Sequence, residues 1–287
     1  RGQADLVPAP VTFRNKEKVL VSCSRGCTAR YRHLMNDLRT LIPHHKRDVK
    51  LDSKDHLPVL NEVCEMKNCN NCIFFEVRKR QDLYMWVSKA PNGPSAKFLC
   101  VNVHTMDELK MLGNALKGSR PLLIFDRAFE DQPHLRLLKE MFSHAFTTPN
   151  RHPKSKPFFD HAFSFSFLDG RIWFRHFQII WDGETVRGEI ELNEIGPRFV
   201  LQPIRIFSGS FHGETIYRNE KYVSPNTIRS EYKAEQGKLF DIKKGKQKKR
   251  SEAEKEAILE ENPVDTVFKT PVPQPNKKGK GKKKGKR

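Results

Sequence analysis

Two Gly-Pro strands, about a hundred residues apart, constrain the fold of this 287-residue chain more than any other feature. A Gly-Pro pair opens an apolar, β-branched run at residues 93–103 and again, more strongly, at residues 196–207. Gly-Pro pairs punctuate a chain ahead of a strand, so the sequence predicts two strands that begin in the same way. Pro203 lacks an amide donor, and we therefore expect the second strand to lie at a sheet edge or to be bulged at that residue.

The segments that precede the two Gly-Pro strands also match. Each strand follows a predicted hairpin, and each hairpin follows a short strand that leads into a helical pattern. The first set is 19–21, 26–42, 72–78 and 83–88, and the second is 122–125, 133–146, 162–168 and 171–180. Because this order occurs twice, we predict an α/β fold of two similar halves, with chance likeness between ordinary α/β segments as the alternative. A further helix is predicted at 106–116.

Several motifs give the chain a resemblance to a known family. Residues 195–207 with Gly209-Ser210-Phe211 resemble the sigma-factor-like signature of the Brix family of ribosome-assembly proteins. Other segments similar to that family are 32–39, 61–69, 81–86, 93–98, 118–123, 152–155 and 171–175. The resemblance covers most of the chain. It implies a Brix domain of two similar half-domains, each like the anticodon-binding domain of histidyl-type tRNA synthetases, with basic disordered tails.

These observations divide the chain into four segments. Residues 1–15 are a lead-in, 16–121 the first Brix half, 122–222 the second Brix half, and 223–287 a basic C-terminal extension. Within the extension, a capping box predicts a short helix at 251–261. The lysine-rich end of the chain has nothing to bury, and we expect it to be disordered.

The chain is strongly basic, with a formal net charge of +19. Residues 241–287 hold 16 Lys and Arg against 7 Asp and Glu, and the remainder of the chain is also basic. A charge of this size attracts polyanions, of which nucleic acid is the commonest for a soluble protein. An anionic membrane surface is the competing partner, but no apolar run approaches the roughly 18 residues of a spanning helix.

The first predicted helix carries a stripe of arginines. Arg25, Arg32 and Arg39 are seven residues apart, a spacing that places them on one helical face. Guanidinium groups pair bidentately with phosphate oxygens, so the stripe could contact successive phosphates. A solvated basic face is the alternative.

The second predicted hairpin interleaves aromatic rings with arginines. Arg171, Trp173, Arg175 and Phe177 alternate along its second strand and therefore share one face. Rings and arginines together suit base stacking and phosphate pairing. The alternative, which we favour for the two rings, is that they belong to the core while the arginines lie at its rim.

Other cations complete the predicted RNA-binding set. The first hairpin turns on Arg78-Lys79-Arg80, and two arginines of the second Gly-Pro strand are either phosphate ligands or salt-bridge partners. The full set is Arg25, Arg30, Arg32, Arg39, Arg78, Lys79, Arg80, Arg171, Arg175, Arg198 and Arg205.

The sequence offers little for catalysis. Cys64, Cys69 and Cys72 have the spacing of three ligands in plant-type iron–sulfur proteins, but no fourth ligand is evident. We expect ordinary buried thiols rather than a metal site. No phosphate-binding, dinucleotide-binding or nucleophile-elbow motif occurs. We therefore expect neither an enzyme nor a cofactor.

The Brix resemblance implies a function in assembly of the large (60S) ribosomal subunit in the nucleolus. The implied partners are pre-ribosomal RNA of the large subunit and other nucleolar assembly factors, including a helical partner homologous to the Epstein-Barr nuclear antigen binding protein, and no membrane. The alternative is a protein-docking module in which the sheets and an edge strand at 199–207 bind proteins and RNA contact is only electrostatic. An RNA-processing nuclease is the least favoured function.

Overall fold

The structure is a computed structural model that describes residues 17–51, 56–108, 111, 113–150, 152–181 and 190–256. The chain divides into two compact units, Arg1–Val223 and Ser224–Arg287. The predicted lead-in at 1–15 lies outside the described residues, as does the chain beyond residue 256.

The first unit is a mixed α/β domain, which confirms the predicted fold class. Its strands are β1 Val19–Cys23, β2 His45–Arg47, β3 Asn71–Arg78, β4 Asp82–Lys89, β5 Ser95–His104, β6 Pro121–Phe125, β7 His161–Leu168, β8 Arg171–Trp181, β9 Ile190–Glu194, β10 Arg198–Phe207 and β11 Thr215–Arg218. Its helices are α1 Ala29–Leu41, α2 Val59–Met66, α3 Ala128–Asp131 and α4 Pro133–Phe146, and the second unit contains α5 Pro225–Glu256.

The eleven strands of the described residues belong to one sheet with the order β2-β1-β3-β4-β5-β10-β8-β7-β6, to which β9 and β11 are added beside β8 and β10. The pairing is the same on both sides of the centre. β1 and β3 are parallel, and β3, β4 and β5 are antiparallel; likewise β6 and β7 are parallel, and β7, β8 and β10 are antiparallel. The two Gly-Pro strands, β5 and β10, pair with each other in the middle.

Helices α1 and α4 cover one face of the sheet in both halves. α1 buries Leu34 and Leu38, and α4 buries Leu138 and Phe142, whose ring lies 5.6 Å from that of Phe98. These residues belong to one apolar cluster that extends from β1 to β7. Each fully buried side chain of this size stabilises the fold by about 1.5–3 kcal/mol.

Within the described residues of the first unit, a helix covers the other face only in the first half. There α2 packs Leu60 and Cys64 on Phe74 and Trp86, and Phe211 from beyond β10 completes this second cluster. β3 and β4 are consequently buried on both sides, as their continuous apolar sequence predicts. In the second half, the described part of the connection between α4 and β7 contains no helix, so the corresponding face lacks such a cover.

Several sequence predictions are corrected. The helix expected at 106–116 is absent from its described residues, because the amides of Asn114 and Leu116 donate to side-chain oxygens instead of to helical carbonyls. β10 is an interior strand and not an edge, because β5 pairs with one side of it and β8 and β11 pair with the other. The bulge predicted at Pro203 is present, since the register with β5 shifts between Pro203 and Arg205.

The C-terminal extension also differs from its prediction. Residues 225–256 form a single 32-residue helix rather than a disordered segment that leads into a short helix at 251–261. Side-chain ion pairs one turn apart, Lys248 with Glu252 and Arg250 with Glu254, give it local support. The expected disorder of the lysine-rich end falls outside the described residues.

A buried carboxylate links three strands of the first half. Glu76 accepts hydrogen bonds from Lys97 at 3.0 Å, Arg78 at 2.6 Å and the Trp86 indole at 2.9 Å. Burial alone would raise the pKa of Glu76, but the charge of Lys97 and the three hydrogen bonds outweigh burial and lower it. Glu76 is therefore ionised and paired in the folded protein.

We expect Glu76→Gln to lower the free energy of unfolding by about 3 kcal/mol at pH 7, because the substitution leaves Lys97 buried without its counter-charge. Because folding lowers the pKa of Glu76, its carboxylate stabilises the folded state at pH values above its ordinary pKa of 4.5. This stabilisation is lost as the pH falls toward the pKa in the folded state. The difference in the free energy of unfolding between wild type and Glu76→Gln should therefore become smaller below about pH 4.5. Urea unfolding of both proteins at pH 7 and pH 4 measures this change. Glu62→Gln, at an exposed glutamate, is the matched control. Equal stabilities of Glu76→Gln and wild type at pH 7 would contradict a stabilising role for the buried Glu76 carboxylate.

Candidate nucleic-acid interface

We define the open face as the side of β7, β8, β10 and β11 that points away from α1 and α4. Along β8 the side chains alternate: Ile172 and Phe174 are buried against the helices, while Arg171, Trp173 and Arg175 lie on the open face. The period of two places every second residue of a strand on one side. The preferred assignment of Trp173 and Phe177 to the core was wrong, because both rings are only partly buried and lie on the open face.

The arginines of the open face differ in their pairing. Arg171 and Arg175 are exposed, and no carboxylate of the described residues pairs with either of them. Arg198 is part-buried, with its Nη1 3.7 Å from Glu194 Oε2. Two cations of β8 are therefore available to an anionic ligand, and Arg198 is partly neutralised.

Two further arginines lie opposite each other on neighbouring strands. Arg205 of β10 pairs in register with Arg218 of β11 and, on its other side, with Lys97 of β5. Like charges placed directly opposite destabilise a sheet, so this cluster favours a bound anion. Sequence reasoning selected Arg205 but missed Arg218, because only the pairing of β10 with β11 brings the two together.

A cavity of about 180 Å³ opens on this face. Its lining includes Asn102, His104, Trp173, Arg175 and Arg198. Asn102 has a φ of 51° and lies where the register of β5 with β10 shifts, so the cavity is formed at a β-bulge. Sequence reasoning missed Asn102 and His104, because a bulge leaves no clear signal in a short apolar run.

A second group of predicted cations lies at the turn after β1 and at the hairpin tip between β3 and β4. The Val77 amide donates to Ser24 Oγ at 2.9 Å, which places the two turns side by side. Arg25, Lys79 and Arg80 are all exposed there. We call this group the turn cations.

The arginine stripe predicted on the first helix is not formed. Arg25 lies in the turn before α1, which begins at Ala29. Arg39 is buried, and its Nη2 donates to the Val21 carbonyl at 2.7 Å. Arg30 pairs with Glu108 at 2.8 Å. Of the four arginines predicted in this region, only Arg32 is both helical and exposed without an ion-pair partner among the described residues.

Arg78 is also committed to the fold. It pairs with Glu76 and lies over the Tyr84 ring at 5.3 Å from the centroid, although its side chain remains more than half exposed. Its role in the carboxylate network is structural whether or not it contacts a ligand.

The cysteines selected by spacing are buried thiols. Cys64, Cys69 and Cys72 lie in the apolar cluster under α2, and burial raises the pKa of Cys69 to about 11. Within the described ranges, no three His, Cys, Asp or Glu side chains are grouped so that they could hold a metal ion. The described helices include none with the length and apolar character needed to cross a membrane.

Comparison with known proteins identifies the fold family. The Brix domain model matches residues 24–205, which is more than half of the chain. The chain belongs to the Brix family. It is 53% identical over 281 residues to the ribosome biogenesis protein BRX1 homolog of Rattus norvegicus, and equally to that of Homo sapiens; each alignment covers 94% of this chain and 76% of the relative.

A more distant solved structure is similar as well. It is described as a probable ribosomal biogenesis protein from Aeropyrum pernix K1 and gives a TM-score of 0.43 at 17% identity, covering 65% of this chain and 96% of the other. The matched Brix domain contains both the turn cations and the β8 arginines. Arg218 and α5 lie beyond its last matched residue.

We expect Arg39→Ala to lower the free energy of unfolding by about 2 kcal/mol, because it removes a charged hydrogen bond to a buried carbonyl of β1. Arg32 is exposed on the same helix, and Arg32→Ala should change the free energy of unfolding by less than about 0.5 kcal/mol. Chemical denaturation of the two variants beside the wild type measures the contrast. An Arg39→Ala protein as stable as Arg32→Ala would contradict a structural role for the buried guanidinium.

Proposed function

We propose that this protein is a non-catalytic, RNA-binding assembly factor of the large (60S) ribosomal subunit, and that it binds pre-ribosomal RNA in nucleolar precursor particles. Membership of the Brix family and about 53% identity to proteins named for ribosome biogenesis support the assembly role. The net charge of +19 supports a polyanionic partner.

The open face is the observation that carries the proposal. A sheet surface that presents an aromatic ring between two arginines without ion-pair partners among the described residues combines a stacking platform with phosphate ligands. Arg205 and Arg218 extend the positive surface along β10 and β11. The turn cations Arg25, Lys79 and Arg80 offer a second phosphate-binding region on the first half.

We also propose that each half of the sheet corresponds to one domain of the anticodon-binding type. The identical pairing on the two sides of β5 and β10 supports this division. The expected boundary, with 16–121 in one half and 122–222 in the other, falls within β6 at its first residue.

A protein-docking role is the second candidate, and α5 is the observation that favours it. Ile228, Tyr232, Leu239 and Ile242 of this helix are exposed, and their spacing of four, seven and three residues places them on one side. Such a face suits another amphipathic helix. A helical assembly factor, homologous to the Epstein-Barr nuclear antigen binding protein, is the partner that we propose for it.

Ultraviolet crosslinking of the tagged protein in living cells distinguishes the two candidates. The attached RNA is sequenced, and the crosslinked peptides are mapped. An RNA-binding assembly factor should give reads on large-subunit precursor RNA with crosslinks in β8 or at the turn cations. Crosslinks confined to residues 243–287, or spread over unrelated RNAs, would instead leave the Brix domain as a protein-docking module.

We expect Arg171→Glu with Arg175→Glu to weaken binding of single-stranded pre-rRNA fragments and to reduce the slope of log K against log salt by roughly 1.4, or about 0.7 for each lost phosphate contact. Arg127→Glu with Arg136→Glu is the matched control, since both residues are exposed and lie on the opposite side of the sheet, Arg127 directly before α3 and Arg136 in α4. Filter binding over a series of salt concentrations measures both variants. Equal losses in the two double variants would mean that the open face has no special role.

A further inference from the structure

Trp86 and Trp173 occupy equivalent positions in the two halves of the sheet. Trp86 of β4 pairs with Lys97, three residues after Pro94. Trp173 of β8 pairs with Val200, three residues after Pro197. Each tryptophan therefore lies on the second strand of its hairpin, beside the same position of its Gly-Pro strand, and both point away from α1 and α4.

The chain itself covers the tryptophan of the first half. Phe207 stacks on Trp86 with the ring centroids 5.8 Å apart and the planes 19° apart, and Phe211 lies against it at 5.7 Å. Lys97 lies over the ring at 4.7 Å, and the indole nitrogen donates to Glu76 at 2.9 Å. Trp86 thus has an aromatic ring, a cation and a hydrogen-bond acceptor, and only 5% of it is exposed.

Trp173 has no such cover from the described residues. No described ring stacks on it, and its indole nitrogen has no acceptor among them. On the first strand of the hairpin, the residue that pairs with Trp173 is Ser166, whereas the residue that pairs with Trp86 is the aromatic Phe74. One side of Trp173 instead borders the cavity of about 180 Å³ on the open face, which has room for one small ring, since a cavity of roughly 150 Å³ holds benzene.

The groups around this cavity define the chemistry of a ligand. A flat π-system would replace the missing ring, and carbonyl or ring-nitrogen acceptors would suit the donors of Asn102 and His104. Arg175 and Arg198 supply positive charge at the rim, which Glu194 offsets only at Arg198. A planar ring with polar edges and adjacent negative charge describes a nucleotide better than it describes a protein side chain.

We propose that Trp173 is the stacking platform for one base of a single-stranded RNA segment, with Arg175 and Arg198 beside the flanking phosphates. The base takes the place that Phe207 holds on Trp86, so the first half contains an internal counterpart of the interaction. This inference rests on the proposed RNA-binding function and assigns the base-contacting position on the open face.

The test compares two probes on the purified full chain: a 12-nucleotide oligoadenylate, and a ribose-phosphate strand of the same length without bases. We expect Trp173→Leu to weaken oligoadenylate binding by about tenfold, as base–aromatic stacking predicts, and to leave binding of the abasic strand unchanged. Trp173→Phe should recover most of the affinity. Trp181→Leu, at the exposed end of the same strand, is the matched control and should bind both probes as the wild type does.

Fluorescence gives a readout that does not depend on a destabilising substitution. In Trp181→Leu the remaining emission comes from buried Trp86 and from Trp173, and oligoadenylate should quench it while the abasic strand should not.

Equal binding of oligoadenylate by wild type and Trp173→Leu, without quenching, would overturn the inference and leave the proposed function intact. Failure of the wild type to bind either probe or pre-rRNA fragments would overturn the proposed function, and a crosslink from β8 to an assembly factor instead of RNA would assign the cavity to a protein side chain.

Discussion

Antiparallel pairing of β5 with β10 is the interaction on which the rest of the structure depends. The register joins Ser95 to Phe207 at one end and His104 to Arg198 at the other, so the two ten-residue strands pair over their whole length. This pairing places β4 and β8 on the two outer sides and brings α1 and α4 to the same face of the sheet. One apolar cluster then contains residues of both halves. The two halves share a core, and neither is completed without the other.

The end of β10 strengthens this dependence, because the segment that follows it belongs to the cover of the first half. Ser95 Oγ donates to the Gly209 carbonyl at 2.7 Å and accepts from the Phe211 amide at 3.0 Å. A side chain at Gly93, whose φ is 93°, would come within 2.4 Å of the Gly209 backbone. The first Gly-Pro turn therefore needs glycine both for its backbone conformation and for this close approach. The second half lacks an equivalent cover on its open face among the described residues.

Sequence reasoning succeeded where the signal is local and failed where it depends on neighbours. The hairpins and α4 were predicted within one or two residues, because alternation of Phe163 and Phe165 with serines and the helical spacing of Leu138 and Phe142 are properties of the segment itself. The predicted helix at 106–116 failed because distant side chains, Gln178 and Asp160, accept the amides of Asn114 and Leu116. The stripe assignment of Arg39 failed for the same kind of reason, since helical spacing does not reveal that a guanidinium points at a carbonyl of β1.

The two faces of the second half differ in how well their side chains are packed and paired, and this difference indicates where a ligand binds. On the helix-covered face, Phe163, Phe165 and Phe174 pack in contact as expected for a stable core. On the open face, Arg205 lies opposite Arg218, and the Trp173 indole nitrogen is buried without a described acceptor. Each of these arrangements costs stability. Proteins that depart from local rules commonly do so at functional sites, and here the departures share one side of adjacent strands. A strand of alternating bases and phosphates suits this side of the sheet, because its phosphates would neutralise the arginines and a base would cover the side of the Trp173 ring that borders the cavity.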